Sequence, residues 1–358
     1  MSEVEISEKE RSWFNWTKYS GSMLRAIEKS ILSHLKLSYR GMFVDIGPCV
    51  GESDKIWTIA MNTEAKRTPI LMLHGLGAGV ALWILNLDQI AEHRPLYAID
   101  ILGFARSSRP DFSDDALIAE KQLVKSIDVW RKEAGLKEMI VLGHSMGGFL
   151  AASYALSYPE RVKHLILADP WGFPEMPTDV DSRYKIPWWG KPLVAAAKSL
   201  NPLSILRFFG PMGSWMVEKM RPDILRKFSN VVSNRDDIPN YIHQCNAQKP
   251  SGESAFHSMM KNLGWAKNPM INRIQDLKHN VPITFVYGEK SWLDNTAGDI
   301  VKQLRHHEYV KVHSIPNAGH HVYADDAKMF NKIVNEACAI CDTDQQTITE
   351  KAKKTFSL

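Results

Sequence analysis

Residues 139–150 read Met-Ile-Val-Leu-Gly-His-Ser-Met-Gly-Gly-Phe-Leu, and the fold is decided there. The apolar run 139–142 has the form of a buried strand, and 149–158 has that of a helix. Between them, Gly143-His144-Ser145-Met146-Gly147 fits the pattern G-x-S-x-G. A strand that turns this sharply into a helix holds its serine in a strained backbone conformation. Glycine two residues before and two after lets neighbouring chain pass, so Ser145 projects as a candidate nucleophile. Outward from this point, short apolar runs at 70–73, 96–100, 164–169 and 283–287 predict further strands, with helical periodicity at 117–134 and 149–158 between them. Strand and helix in alternation predict an α/β protein with a doubly wound, mostly parallel sheet.

The rhythm stops between 172 and 268. No buried-strand pattern occurs there, but Pro187, Trp188, Trp189, Pro192, Trp215 and Met216 do. This reads as a helical insertion with a small core of its own. The expected organisation is an aromatic N-terminal segment at 1–45, a core in two parts at 46–171 and 269–345, the insertion at 172–268, and a polar tail at 346–358.

A serine hydroxyl is a weak nucleophile at neutral pH and needs a base, itself oriented by an acid. In chain order the pattern asks for an acid after a late strand and then a histidine. Asp294 follows the strand-like 283–288 and is the preferred acid, with Asp169, Glu289 and Asp299 as rivals. His320 follows Ala318-Gly319 and is the preferred base. The adjacent His321 competes, but neighbouring residues normally point different ways. Negative charge on an attacked carbonyl oxygen needs donors, and His74-Gly75-Leu76-Gly77 lies directly after the first buried strand. The backbone N–H groups of Leu76 and Met146 are therefore the expected oxyanion pair. A dinucleotide or phosphate loop is a poorer reading of Gly75, Gly77 and Gly79, which do not give G-x-G-x-x-G and are not followed by Lys-Ser or Lys-Thr.

Composition narrows the function classes. The 44 basic and 40 acidic residues leave a charge of +4 over 358 residues, too little to argue for nucleic acid as partner. No run of about 18 apolar residues offers a membrane span. Glu3, Glu5, Glu8 and Glu10 are unlike a secretory signal, and four scattered cysteines fit a reducing compartment. The pair Cys338/Cys341 has no second pair beside it, so no metal is expected, and no organic cofactor either. Trp13, Phe14, Trp16 and Tyr19 precede a segment where Leu24, Ile27, Ile31 and Leu35 recur at helical spacing beside Arg25, Lys29, His34 and Lys36. That pattern fits a lipid surface or a helix folded back on the core.

Several longer strings resemble one subfamily, the α/β-hydrolase domain-containing proteins four and five. They are Lys55-Ile-Trp-Thr, Leu102-Gly-Phe-Ala-Arg-Ser-Ser-Arg-Pro110, Gly143 to Leu150, Pro170-Trp-Gly-Phe-Pro174, Pro250-Ser-Gly-Glu253, Gly264-Trp-Ala-Lys267 and His320-His-Val-Tyr-Ala-Asp325. The resemblance implies an α/β-hydrolase fold with the insertion as a lid. It also implies a lipid-handling protein acting on phospholipids or lysophospholipids, N-acyl species included, at intracellular membranes or lipid droplets. One branch is a phospholipase and the other a droplet-bound coactivator of a triglyceride lipase. Trp13 and Trp16 resemble the droplet anchor of the coactivator branch, and Lys290 and Gly319 fall at positions tied to coactivation, Lys290 in place of an Arg. That branch carries Asn where this chain has Ser145, so catalysis is retained in principle. His320 and Asp325 match an H-x4-D motif associated with lysophosphatidic acid acyltransferase activity. A plainer reading makes Asp325 the cap of the next helix.

Overall fold

Along the central strands, neighbouring residues fall into different cores. Ile70 and Met72, Ile140 and Leu142, and Ile166 and Ala168 join one buried cluster, while Leu71 and Leu73, Met139 and Val141, and Leu165 and Leu167 join the other. This period of two, with apolar residues on both faces, is that of a sheet covered by helices on each side. The computed structural model describes residues 16–177, 203–262 and 264–355, with side chains described as far as 342.

Ten strands occur in the described chain: β1 (Tyr39–Gly47), β2 (Asp54–Met61), β3 (Ile70–Leu73), β4 (Leu96–Ile99), β5 (Met139–His144), β6 (Val162–Ala168), β7 (Met260–Lys261), β8 (Trp265–Ala266), β9 (Ile283–Gly288) and β10 (Val310–Ile315). Eight of them form one sheet in the order β1-β2-β4-β3-β5-β6-β9-β10. β2 runs antiparallel to both β1 and β4, and every other pairing is parallel. The five expected strands are present within a residue or two. β1 and β10 were not anticipated, because their exposed positions break the apolar run, with only Val44 and Ile46 buried in β1; β2 is buried apart from Lys55 and was missed because Asp54, Lys55 and Thr58 interrupt its apolar residues.

The helices Ala116–Glu133 and Met146–Ser157 cover one face of the sheet. The helices Gly21–Leu32 and Ala327–Thr355 cover the other. The backbone of 346–355, expected as a tail, continues this last helix. Leu24, Ile27 and Ile31 are buried against the core and against the helix Asp237–Asn246. Burial stabilises each such side chain by about 1.5–3 kcal/mol, which decides between the two readings of this amphipathic pattern: the apolar face is a core face. Trp13 and Phe14 lie outside the described residues.

Between β6 and β9 the described chain contains the helices Ser204–Phe208, Gly213–Met220, Pro222–Phe228, Asp237–Asn246 and Ser251–Met259, with the small β7–β8 hairpin. The described part of the insertion is thus mainly helical. Pro187, Trp188, Trp189 and Pro192 fall outside the described residues. A buried ion pair, Arg207 to Glu253 at 2.6 Å, ties its two ends together. Asn246 donates from Nδ2 to Gly77 O at 2.8 Å and seats the insertion over the glycine loop that follows β3.

Candidate active site

Strand β5 ends at His144, and Ser145 is the turn itself, with φ 54° and ψ −119°. An L-residue in that region is strained by about 1–3 kcal/mol and stays there only when its surroundings enforce it. Here Ser145 N donates to Ala168 O at 3.1 Å, and Trp171 N donates to Ser145 O at 3.1 Å. The flanking glycines are required by close approach: a Cβ on Gly143 would strike Gly147 O, and one on Gly147 would strike Leu73 O.

Three side chains converge. His320 Nε2 lies 3.0 Å from Ser145 Oγ, and His320 Nδ1 lies 2.6 Å from Asp169 Oδ2. With Nδ1–H donating to the carboxylate, Nε2 is left to accept the serine proton. Asp169 is fully buried, at φ 43°, and also accepts from Ser291 Oγ at 2.5 Å and from Gly288 N at 3.3 Å. Ser145 Oγ, His320 and an acid thus form one relay, and the acid is Asp169.

Asp294, the preferred acid on sequence grounds, is not part of it. Its Oδ1 accepts from Thr296 N at 2.9 Å and from Thr296 Oγ1 at 2.7 Å, at the exposed turn that leads into the helix Thr296–Leu304. The physical reason lies in register. His144 pairs with Ala168 across β5 and β6, so Ser145 and Asp169 leave the ends of adjacent strands together. By contrast, the chain beyond β9 has already turned toward its next helix at Asp294. Glu289 is exposed and accepts from Asn317 N at 2.8 Å, and Asp299 sits in the first turn of that helix. His321, the rival base, accepts at Nδ1 from Arg221 Nη2 at 3.4 Å and is kept neutral by burial.

The residues chosen as oxyanion donors border the nucleophile. A Cβ built on Gly75 would stand 3.1 Å from Ser145 Cβ, so the loop bearing Leu76 lies against the serine, and Met146 opens the helix that follows it. Two histidines unforeseen as site residues stiffen this arrangement. His74 Nε2 accepts from Ile101 N at 3.0 Å, and its Nδ1 donates to Gly75 O at 2.8 Å. Burial lowers its pKa to about 4, so the ring stays neutral in that tautomer. His144 donates from Nε2 to His320 O at 2.8 Å and is likewise held neutral by burial, with the His320 ring adding to the shift. Both were legible only as the neighbours of a glycine or a serine. Ser291, on the acid, and Trp292, 69% exposed with its ring centroid 5.2 Å from that of His320, were missed because nothing in their local sequence signals a contact 25 or more residues away.

Asp325 does not cap the next helix. Asp326 does, its Oδ1 accepting from Met329 N at 2.9 Å, while Asp325 Oδ2 accepts from Gly319 N at 2.9 Å. Trp16 is half exposed and donates from Nε1 to Arg207 O at 3.1 Å. Among the described residues no group of three or more metal-ligating side chains gathers, and no helix is long and apolar enough to cross a membrane. No disulfide joins any of the four cysteines.

A strained serine at a strand-to-helix turn, a histidine from the last loop and a buried acid, all at the carboxyl ends of strands in an eight-stranded sheet, define a family, and its model for the α/β-hydrolase fold matches residues 68–327. The chain belongs to the α/β-hydrolase family. Within that family it is 47% identical over 324 residues to a (lyso)-N-acylphosphatidylethanolamine lipase of Mus musculus, covering 90% of this chain and 93% of the relative. It is 45% identical over 321 residues to a 1-acylglycerol-3-phosphate O-acyltransferase of Homo sapiens, covering 87% and 90%. These relatives place this α/β-hydrolase in the subfamily of domain-containing proteins four and five. Among solved structures, a bacterial membrane phospholipase A superposes with a TM-score of 0.62 over 90% of this chain and 92% of its own, at 18% identity, which is a likeness of fold.

Proposed function

We propose that this protein is a serine hydrolase that cleaves acyl esters of glycerophospholipids or lysophospholipids, N-acyl species included, at a membrane or lipid-droplet surface. The observation that carries the reading is the Ser145–His320–Asp169 relay, in a chain whose relatives are named for phospholipid-ester chemistry. Ser145 Oγ adds to the ester carbonyl as its proton passes to His320 Nε2. Asp169 steadies the imidazolium through Nδ1, and the N–H groups of Leu76 and Met146 receive the oxyanion. Collapse expels the alcohol, which takes the proton from His320, and leaves an acyl-serine. Water, deprotonated by His320, then releases the fatty acid. A lysolipid hydroxyl taking the place of that water would give acyl transfer, and the name of the human relative favours keeping this second outcome in view.

Contact with a lipid surface is supported by Trp13, Phe14 and the half-exposed Trp16, together with Phe208 and Trp215 on the insertion, 74% and 50% exposed. Purified protein is incubated with liposomes containing lysophospholipid and N-acyl phospholipid, and free fatty acid and re-acylated product are scored. Wild type is expected to release fatty acid, and Ser145→Ala to lose several orders of magnitude in turnover. Replacing Trp13, Phe14 and Trp16 by Ala should weaken liposome binding and spare hydrolysis of a soluble ester. Stimulation of a partner lipase with no fatty acid release by wild type would replace the enzyme by a coactivator.

A further inference from the structure

The sequence pairs His320 with Asp325, yet the relay leaves Asp325 no proton to carry: the two ring nitrogens of His320 are taken by Ser145 and Asp169. The carboxylate of Asp325 is engaged elsewhere. Asp325 ends the single turn Val322–Asp325, with its own N–H on His321 O at 2.9 Å. Its side chain folds back so that Oδ2 accepts from Gly319 N at 2.9 Å, one residue before the base. His320 is thereby bracketed, since its carbonyl accepts from His144 Nε2 at 2.8 Å while the N–H of the preceding residue is held by Asp325.

The other oxygen, Oδ1, meets Lys227 Nζ at 2.9 Å, and Lys227 lies on the insertion helix Pro222–Phe228. The two side chains are only 14% and 18% exposed, so water screens this pair far less than a surface pair, and a charge left alone there would be costly. Lys227 also approaches Asp223 at 3.5 Å, Asp223 is paired with Arg221 at 2.9 Å, and Arg221 reaches His321 Nδ1 at 3.4 Å. Segment 221–227 of the insertion thus grips the histidine loop at two points, Asp325 and His321.

We propose that Asp325 is a positioning residue through which the insertion, by way of Lys227, holds His320 in line with Ser145. The H-x4-D pair is then a base and its support, and displacement of segment 221–227 loosens the base. This rests on the serine-hydrolase reading of the relay and adds a control to it. Misplacing a catalytic group by 1 Å costs up to about 10²-fold in rate, so modest slackening has a large readout.

The test uses the full chain, a soluble short-chain ester and a fluorophosphonate probe. The extent of labelling counts intact sites, while kcat per labelled site and the labelling rate report positioning. Asp325→Ala should lower kcat per labelled site about 30-fold, with KM unchanged within about twofold, as expected for a misplaced base. Asp325→Asn keeps an acceptor for Gly319 N and should recover to within a few-fold of wild type. Lys227→Met should lower kcat a few-fold alone and add nothing to Asp325→Ala, because both act through one contact. The proposal is overturned if Asp325→Ala matches wild type per labelled site, or if the Lys227 and Asp325 effects simply multiply. Turnover that persists in Ser145→Ala would instead sink the relay, and the positioning role of Asp325 with it.

Discussion

Asp169 and Asp294 are chemically the same residue and differ only in what surrounds them. Asp169 is buried at the end of β6 with donors from His320, Ser291 and Gly288, whereas Asp294 is exposed and accepts from Thr296, two residues on. Their variants should therefore part widely. Asp169→Asn keeps the shape but can present an N–H where His320 Nδ1 donates, which favours the wrong tautomer; a loss of about 10⁴-fold in kcat on a soluble ester is expected. Asp294→Asn keeps an oxygen that can accept from Thr296 N in the same turn, so activity should stay within a few-fold and stability within about 1 kcal/mol. Steady-state kinetics on the two proteins decides the matter, and comparable losses in both would reject Asp169 as the acid.

At the scale of elements, the strand-to-helix turn succeeds only because three chain segments touch there through backbone. Gly147 lies against Leu73 O and His74 O, and Gly143 against Gly147 O, so β3, β5 and the helix Met146–Ser157 meet with no room for a methyl group. Gly147→Ala should therefore push the Ser145 helix off the end of β3. Overpacking of this kind costs about 1–3 kcal/mol. A chemical denaturation midpoint lower than that of wild type, with slower fluorophosphonate labelling per folded molecule, is the expected pair of results. Unchanged stability would mean that the turn relaxes freely.

Across the whole molecule, the N-terminal helix is tied down by a buried glutamate side chain. Glu28 Oε1 accepts from Trp57 Nε1 at 3.0 Å and pairs with Arg106 Nη1 at 2.5 Å, and the Arg106 guanidinium lies 3.4 Å above the Trp57 ring. Burial, with the nearby charge of Asp100, raises the Glu28 pKa from 4.5 to about 8. The folded protein therefore holds a proton that the unfolded chain gives up. Stability from this site is complete below about pH 4.5 and is lost as pH rises toward 8, because there the unfolded state binds fewer protons than the native one. Glu28→Gln carries no titrating proton, so the urea midpoint of wild type should fall relative to that of the variant between pH 5 and pH 8. Parallel curves would show that Glu28 stays charged against Arg106.

Local chemistry made most of the architecture readable from the chain itself. Apolar runs gave five of the buried strands, since residues covered on both faces are mostly apolar, whereas β2, with Asp54 and Thr58 buried in it, did not show as such a run. G-x-S-x-G placed Ser145 at the strand-to-helix turn, because only glycine tolerates those backbone contacts, and chain order pointed to His320, whose Nε2 lies 3.0 Å from Ser145 Oγ. Other features depended on which elements become neighbours. The acid went to Asp169 because β6 lies beside β5, an adjacency that no local pattern encodes. The helix Gly21–Leu32 turned its apolar stripe to the core, which the stripe alone could not choose over lipid. Asp325 found Gly319 six residues back and Lys227 on another helix, and contacts of that kind exist only once the insertion has packed against the histidine loop.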